Sequence, residues 1–122
     1  MSDSPKLTLA QVATEDLCEV IITAPDADWL AQFVRELILD RLCAGSHHIT
    51  QIRSIYPWDG AVHDTVEARV AFRTRTALLP RIIDRTRAVH PYEVPSVVAL
   101  PILAANPDYA AWVRENTRPT ID

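Results

Sequence analysis

The stretch Ile49-Thr50-Gln51-Ile52-Arg53-Ser54-Ile55-Tyr56-Pro57-Trp58-Asp59-Gly60 continues as Ala61-Val62-His63-Asp64-Thr65-Val66-Glu67-Ala68-Arg69-Val70-Ala71-Phe72-Arg73. An apolar, β-branched run up to Tyr56 meets an alternating one, in which Val66, Ala68, Val70 and Phe72 interleave with Glu67, Arg69 and Arg73. Two such runs joined through Asp59-Gly60 predict a β-hairpin, because glycine takes the positive φ of a tight turn without steric cost. With a two-residue turn Arg53 would face the apolar Val66, and a slip of one residue would put Ile52 or Ser54 there instead. A β-bulge is therefore expected near Pro57, which cannot donate to the ladder. The chain has 2 glycines against 9 prolines, so Gly45 is expected at a required turn as well.

Upstream of the hairpin, Leu30, Phe33, Val34, Leu37, Ile38 and Leu42 recur in steps of three and four behind Asp26. This period predicts a helix capped by Asp26 and stopped by Gly45. The apolar run Leu17 to Thr23, closed by Ala24-Pro25, predicts an opening strand. Downstream, Thr76 as cap with Leu79, Ile82, Ile83 and Thr86 predicts a second helix that ends before Pro91, Pro80 being tolerable in its first turn. Pro95 to Ile102, β-branched and bracketed by prolines, reads as a strand at or near a sheet edge. Asn106-Pro107-Asp108 then opens a short third helix through Tyr109, Trp112 and Val113. Residues 1–16 show no sustained period and are expected to form a flexible arm, leaving a domain over 17–117 and a short tail over 118–122.

Strand, helix, strand, strand, helix, strand is an α+β order. It is the ferredoxin-like split βαβ pattern (βαββαβ), here with an added C-terminal helix, in which two helices cover one face of a four-stranded antiparallel sheet. The other face is left for a second subunit to cover, so an oligomer is expected. A chain of 122 residues is the size of one domain. Its net charge of -4 argues against nucleic acid or an anionic membrane surface as partner, since both are bound mainly through clustered Lys and Arg. No apolar run reaches the roughly 18 residues of a membrane span, and no export signal opens the chain, so a cytoplasmic protein is expected. Cys18 and Cys43 accordingly read as reduced, buried thiols.

The most informative segment is His90-Pro91-Tyr92-Glu93-Val94-Pro95. Taken with Thr23-Ala24-Pro25-Asp26, Arg53-Ser54-Ile55-Tyr56-Pro57-Trp58-Asp59-Gly60 and Asn106-Pro107-Asp108-Tyr109-Ala110-Ala111-Trp112, it resembles the CutA family of divalent-cation tolerance proteins, in order and without large gaps from about Glu19 to Thr117. The resemblance implies a cytosolic homotrimer of ferredoxin-like subunits with clefts between them. It also implies an association with copper tolerance, with binding of divalent copper, and a sensor or adaptor role like that of the nitrogen-regulatory signal-transduction proteins. Ile22 and Gly45 stand where some members carry cysteines, and Val89-His90 stands where some carry two histidines, so His90 alone remains of that ligand set. Cys43 lies two positions before the family cysteine and is expected to point elsewhere. Without thiolates a remaining site would suit Cu(II) or Zn(II), weakly bound, and would need other ligands beside His90.

Other candidates follow from the residues themselves. Adjacent strand residues point to opposite faces, so His47 and His48 are not expected to share an ion, and His63 is expected to be exposed at the hairpin tip. Glu67 and Glu93 can supply carboxylates near the cleft or form ordinary salt bridges with Arg69 or Arg73. Tyr56, Trp58, Tyr92, Tyr109 and Trp112 can line a small-molecule cleft or pack between subunits. Arg73 replaces the family's usual lysine and would hold a carboxylate or phosphate in a fork. The expected ligand-binding set is thus Tyr56, Trp58, Glu67, Arg73, Tyr92 and Glu93.

No Gly-x-Ser-x-Gly, phosphate loop or zinc-protease spacing is present, so catalysis is not signalled. The expected function is a binding protein, a sensor or adaptor with a small ligand or protein partner at the intersubunit cleft. Two alternatives stand beside it: a small enzyme using His90 with Glu67 or Glu93 as acid and base, and a purely structural adaptor trimer.

Overall fold

The computed structural model describes residues 6–119. The elements run α1 (Leu9–Val12), β1 (Leu17–Ala24), α2 (Ala27–Leu39), β2 (Ala44–Trp58), β3 (Ala61–Arg75), a 3-10 turn (Thr76–Leu78), α3 (Leu79–Val89), β4 (Val97–Pro101) and α4 (Pro107–Glu115). The four strands form one sheet in the order β2-β3-β1-β4, with every adjacent pair antiparallel. This is the ferredoxin-like arrangement, and β4 is an edge strand as expected.

Period-two alternation puts Cys18, Val20, Ile22 and Ala24 of β1 on the same face as Ala68, Val70 and Phe72 of β3. Against that face pack Leu30, Phe33, Val34 and Leu37 from α2, with Leu78 and Ile82 from the second helical segment. Each fully buried side chain of this size contributes roughly 1.5–3 kcal/mol, so this layer holds the sheet and helices together. Asp26 caps α2 as expected, its carboxylate accepting from the backbone N–H of Asp28 at 2.9 Å.

The end of α2 differs from expectation. The helix stops at Leu39, and Arg41 takes the left-handed conformation at φ 59. The N–H of Leu42 bonds to the carbonyl of Leu37 and that of Arg41 to Ile38, which is the paired closure of a Schellman motif. Gly45, expected to stop the helix, lies in β2 at φ 64, where the register with β3 shifts between Ala44 and His47. A side chain there would be strained by the backbone and would meet the Tyr109 phenol oxygen 2.6 Å from its Cβ. Cys43 is buried in the link between α2 and β2, off the helix on which the sequence placed it.

The hairpin turns through Asp59 (φ 51) and Gly60 (φ 76), two left-handed residues in succession as a type I′ turn requires. Its bulges lie between Ala44 and His47 and between Ile49 and Ile52, not near Pro57, and Pro57 pairs normally with Val62. Arg53 does face Val66. The reason is that β1 pairs with β3 only from Ala68 onward, so the distal half of the hairpin projects beyond the sheet. Val66 is 59% exposed there and no burial enforces alternation, while Arg53 forks onto Asp64 at 2.6 and 2.9 Å.

Three further features go beyond the expectations or differ from them. Neither Thr76 nor Asn106 caps with its side chain; the Thr76 N–H instead donates to the Asp16 carbonyl at 2.8 Å. The stretch before β1, which shows no sustained period, carries α1 with a Thr8–Gln11 capping box and an antiparallel bridge from Ala13 to Ala104. Four helical residues are too few for a period to show. Residues 1–5, and 120–122 of the tail, lie outside the described residues. Finally, the sheet face expected to be without helices is covered at one end by α4, where Leu17 packs on Ala110 and Val113 and Arg75 donates to the Arg114 carbonyl at 2.8 Å.

Candidate functional site

The site grows from the end of α3. A residue before proline is driven out of the helical region, and His90, at φ -64 and ψ 139, leaves the helix ahead of Pro91. The segment 90–96 then passes the end of β1, where the His90 ring is caught. Its Nδ1 accepts the Tyr92 N–H at 3.0 Å, which places the ring proton on Nε2, and Nε2 donates to the Thr23 carbonyl at 2.8 Å. The ring is 8% exposed and stands edge-on to Trp29. Both ring nitrogens are thus bonded to the backbone, Nδ1 as acceptor and Nε2 as donor.

Held in this way, Tyr92 reaches back to β3, and its phenol donates to Glu67 Oε2 at 2.6 Å. Glu67 is 4% exposed. Burial and the adjacent Glu67 carboxylate push the Tyr92 phenol above the ordinary tyrosine range, so it remains a donor at any physiological pH. Around this pair lies a cleft of about 600 Å³. Its walls are Thr23 at the end of β1, the β2 stripe Ser54, Tyr56 and Trp58, Glu67 on β3, and the segment from Pro91 to Val94 together with Ser96. The β2 stripe follows from the strand period of two, which turns residues 54, 56 and 58 to one face.

Of the residues singled out in the sequence, Tyr56, Trp58, Glu67, Tyr92 and Glu93 meet in this cleft. Arg73 does not. It lies six residues along β3 from Glu67, about 20 Å in an extended strand, and its guanidinium serves the Gly45 carbonyl at 3.3 Å, His47 Nδ1 at 2.9 Å and Glu19 at 3.8 Å. The alternative of a Glu67 salt bridge with Arg69 or Arg73 is replaced by the Tyr92 hydrogen bond. Tyr109 and Trp112 stack on each other on α4, with Tyr109 against Gly45 and not in the cleft. Thr23, Ser54, Pro91, Val94 and Ser96 were missed; only Ser54 had a signal, its place in the stripe with Tyr56 and Trp58.

The remaining candidate metal ligands do not assemble. His47 turns to Arg73 while His48 Nε2 sits 3.1 Å from Ser46 Oγ, so the two histidines part as strand geometry requires. His63 stacks on Tyr56 and contacts the Trp58 carbonyl. Burial raises both thiols, that of Cys43 to about 12, which keeps them protonated and poor ligands. Among the described residues no group of three or more His, Cys, Asp or Glu comes together.

A family model described as CutA1 divalent ion tolerance protein matches residues 18–116. The divalent-cation tolerance protein CutA of Thermus thermophilus is 38% identical over 98 residues, 80% of this chain and 95% of that one. Protein CutA of Homo sapiens is 37% identical over 101 residues, 83% of this chain and 56% of the human protein, so the chain spans little more than half the length of that relative. Among solved structures, the Thermus thermophilus Cut A1 protein superposes with a TM-score of 0.80 at 36% identity, covering 84% of this chain and 99% of the other. CutA1 from Oryza sativa gives 0.83 at 29% identity, over 90% and 99%. With the βαββαβ sheet, the projecting hairpin and the His90-to-Pro95 segment all inside the matched region, this chain belongs to the CutA1 divalent ion tolerance family.

Proposed function

We propose that this chain acts as a cytosolic homotrimeric sensor or adaptor of its family, taking a small ligand in the cleft over Tyr92 and Glu67, and that it is not a catalyst. One observation carries the reading: His90 and Glu67, two of the three groups that would perform acid–base chemistry, are held through Tyr92 in one brace. Thr23 holds His90, His90 holds Tyr92, and Tyr92 holds Glu67. An enzyme using His90 would need a ring nitrogen free to exchange a proton with substrate, and both are engaged. A brace of this kind preserves the shape of a binding site.

The trimer is supported by apolar surface that a single chain leaves open: Ile49, Val98 and Leu100 on the sheet, and Ile55, Val62 and Val66 on the hairpin. The cytosol is supported by two buried thiols in the reduced state. The copper association, on this reading, does not run through an ion resident at His90. Native mass measurement with and without added copper and zinc tests the whole proposal. A trimer that retains no stoichiometric metal is expected, whereas a stable monomer, or one tightly held ion per chain, would overturn it.

A further inference from the structure

Deepening the proposed binding role, on which it rests, we infer that the cleft selects an organic cation, an ammonium or amidinium group carried on a flat apolar body. Glu67 is the deciding residue. It is 96% buried by its 4% exposure, lines the cleft, and gives only Oε2 to Tyr92; among the described residues Oε1 receives no hydrogen bond. That oxygen stays accessible, since among the described residues only Thr65 Oγ1 is a buried side-chain atom without a partner, and a ligand that brings a positive N–H donor can make a charge-assisted hydrogen bond to it. No Lys or Arg of this chain lines the cleft, and its second carboxyl wall group is Glu93, so the chain's own lining offers acidic groups and no cation. An anion would meet two carboxyl groups and no counter-charge from this chain.

The apolar part of the ligand is specified by the other walls. Tyr56 and Trp58 stand on the same strand face, and ring faces of this kind attract a cation and stack on a flat body. Thr23, Ser54 and Ser96 supply hydroxyl oxygens that can accept from further N–H groups. The same walls argue against a bare divalent ion, which needs several converging oxygen or nitrogen ligands, and among the described residues no cluster of three is present. Tyr92 keeps its proton and cannot rotate away without leaving Glu67 unpaired, so the negative floor is fixed in place before any ligand arrives.

A matched series of probes tests this inference: phenethylammonium, phenethyl alcohol and phenylacetate share a ring and a short chain and differ mainly in charge. Each is titrated into isotope-labelled trimer, with the amide signals of Tyr92 and Glu93 and the Trp58 indole followed by NMR. Phenethylammonium should shift these signals and bind about tenfold or more tightly than the alcohol, the range expected of a charge-assisted hydrogen bond, with phenylacetate weaker still. Glu67→Gln keeps an acceptor for Tyr92 and should bring cation and alcohol to equal affinity. Alcohol or phenylacetate binding as tightly as the cation, or a cation preference that survives Glu67→Gln, would overturn the cation inference while leaving a ligand cleft. If no probe shifts the cleft signals, both the inference and the proposed binding role fail.

Discussion

His90 Nε2 lies 2.8 Å from the carbonyl oxygen of Thr23, a residue 67 positions earlier in the chain. That bond anchors the loop after α3 to the end of β1, and the cleft exists because the loop is anchored. The histidine that family likeness marks as a metal ligand thus joins two elements through hydrogen bonds to Thr23 and Tyr92.

Replacing His90 by alanine should leave the Thr23 carbonyl and the Tyr92 N–H without their partner in a buried place. A loss of about 1–3 kcal/mol in unfolding free energy is expected, read from the denaturant midpoint. Calorimetric titration with Cu(II) should give weak binding that is the same in native protein and in His90→Ala. Nanomolar copper affinity abolished by the substitution would refute the joining role.

Tyr92→Phe removes the donor from Glu67 and should cost about 1 kcal/mol. The alkaline limb provides a second reading. The folded phenol stays protonated above the ordinary value of about 10 at which the unfolded one ionises. The unfolded state then binds fewer protons, so stability falls as pH rises past that value. Tyr92→Phe should show a flatter alkaline decline than native protein in urea unfolding; an unchanged slope would contradict the Tyr92–Glu67 pair.

Arg114 forks onto Asp16 at 2.8 and 2.9 Å and holds its carboxyl below the ordinary aspartate range. A lowered folded value contributes stability above the unfolded value of about 3.9, lost as pH falls through the folded one. Both side chains are partly exposed, so Asp16→Asn should cost under about 1 kcal/mol at neutral pH and should flatten the acid decline. An acid limb identical to that of native protein would rule the pair out.

Gly45 and Gly60 both take positive φ, yet they should respond differently to alanine. Gly60→Ala meets open space and should cost about 1 kcal/mol from backbone strain alone. Gly45→Ala adds a collision with the Tyr109 phenol oxygen and should cost more, part of it recovered when Tyr109→Phe removes that oxygen. Equal losses at the two glycines, or no recovery in the double variant, would place Tyr109 elsewhere.

The sequence alone determined the order of elements from β1 to α4, the Asp59-Gly60 turn, the Asp26 cap and the layer in which β1 and β3 face α2. These are local, since alternation, helical period and positive φ are written in neighbouring residues. It also singled out five of the cleft residues, because aromatic and acidic side chains stood in recognisable segments. Tertiary structure decided the rest. The bulge between Ile49 and Ile52 falls where β1 stops pairing with β3, and Gly45's role depends on a helix more than sixty residues away. The partners of His90's two ring nitrogens were also decided by packing. Thr23 and Tyr92 take those places only when the strand and the loop have packed, and no spacing along the chain reports that contact.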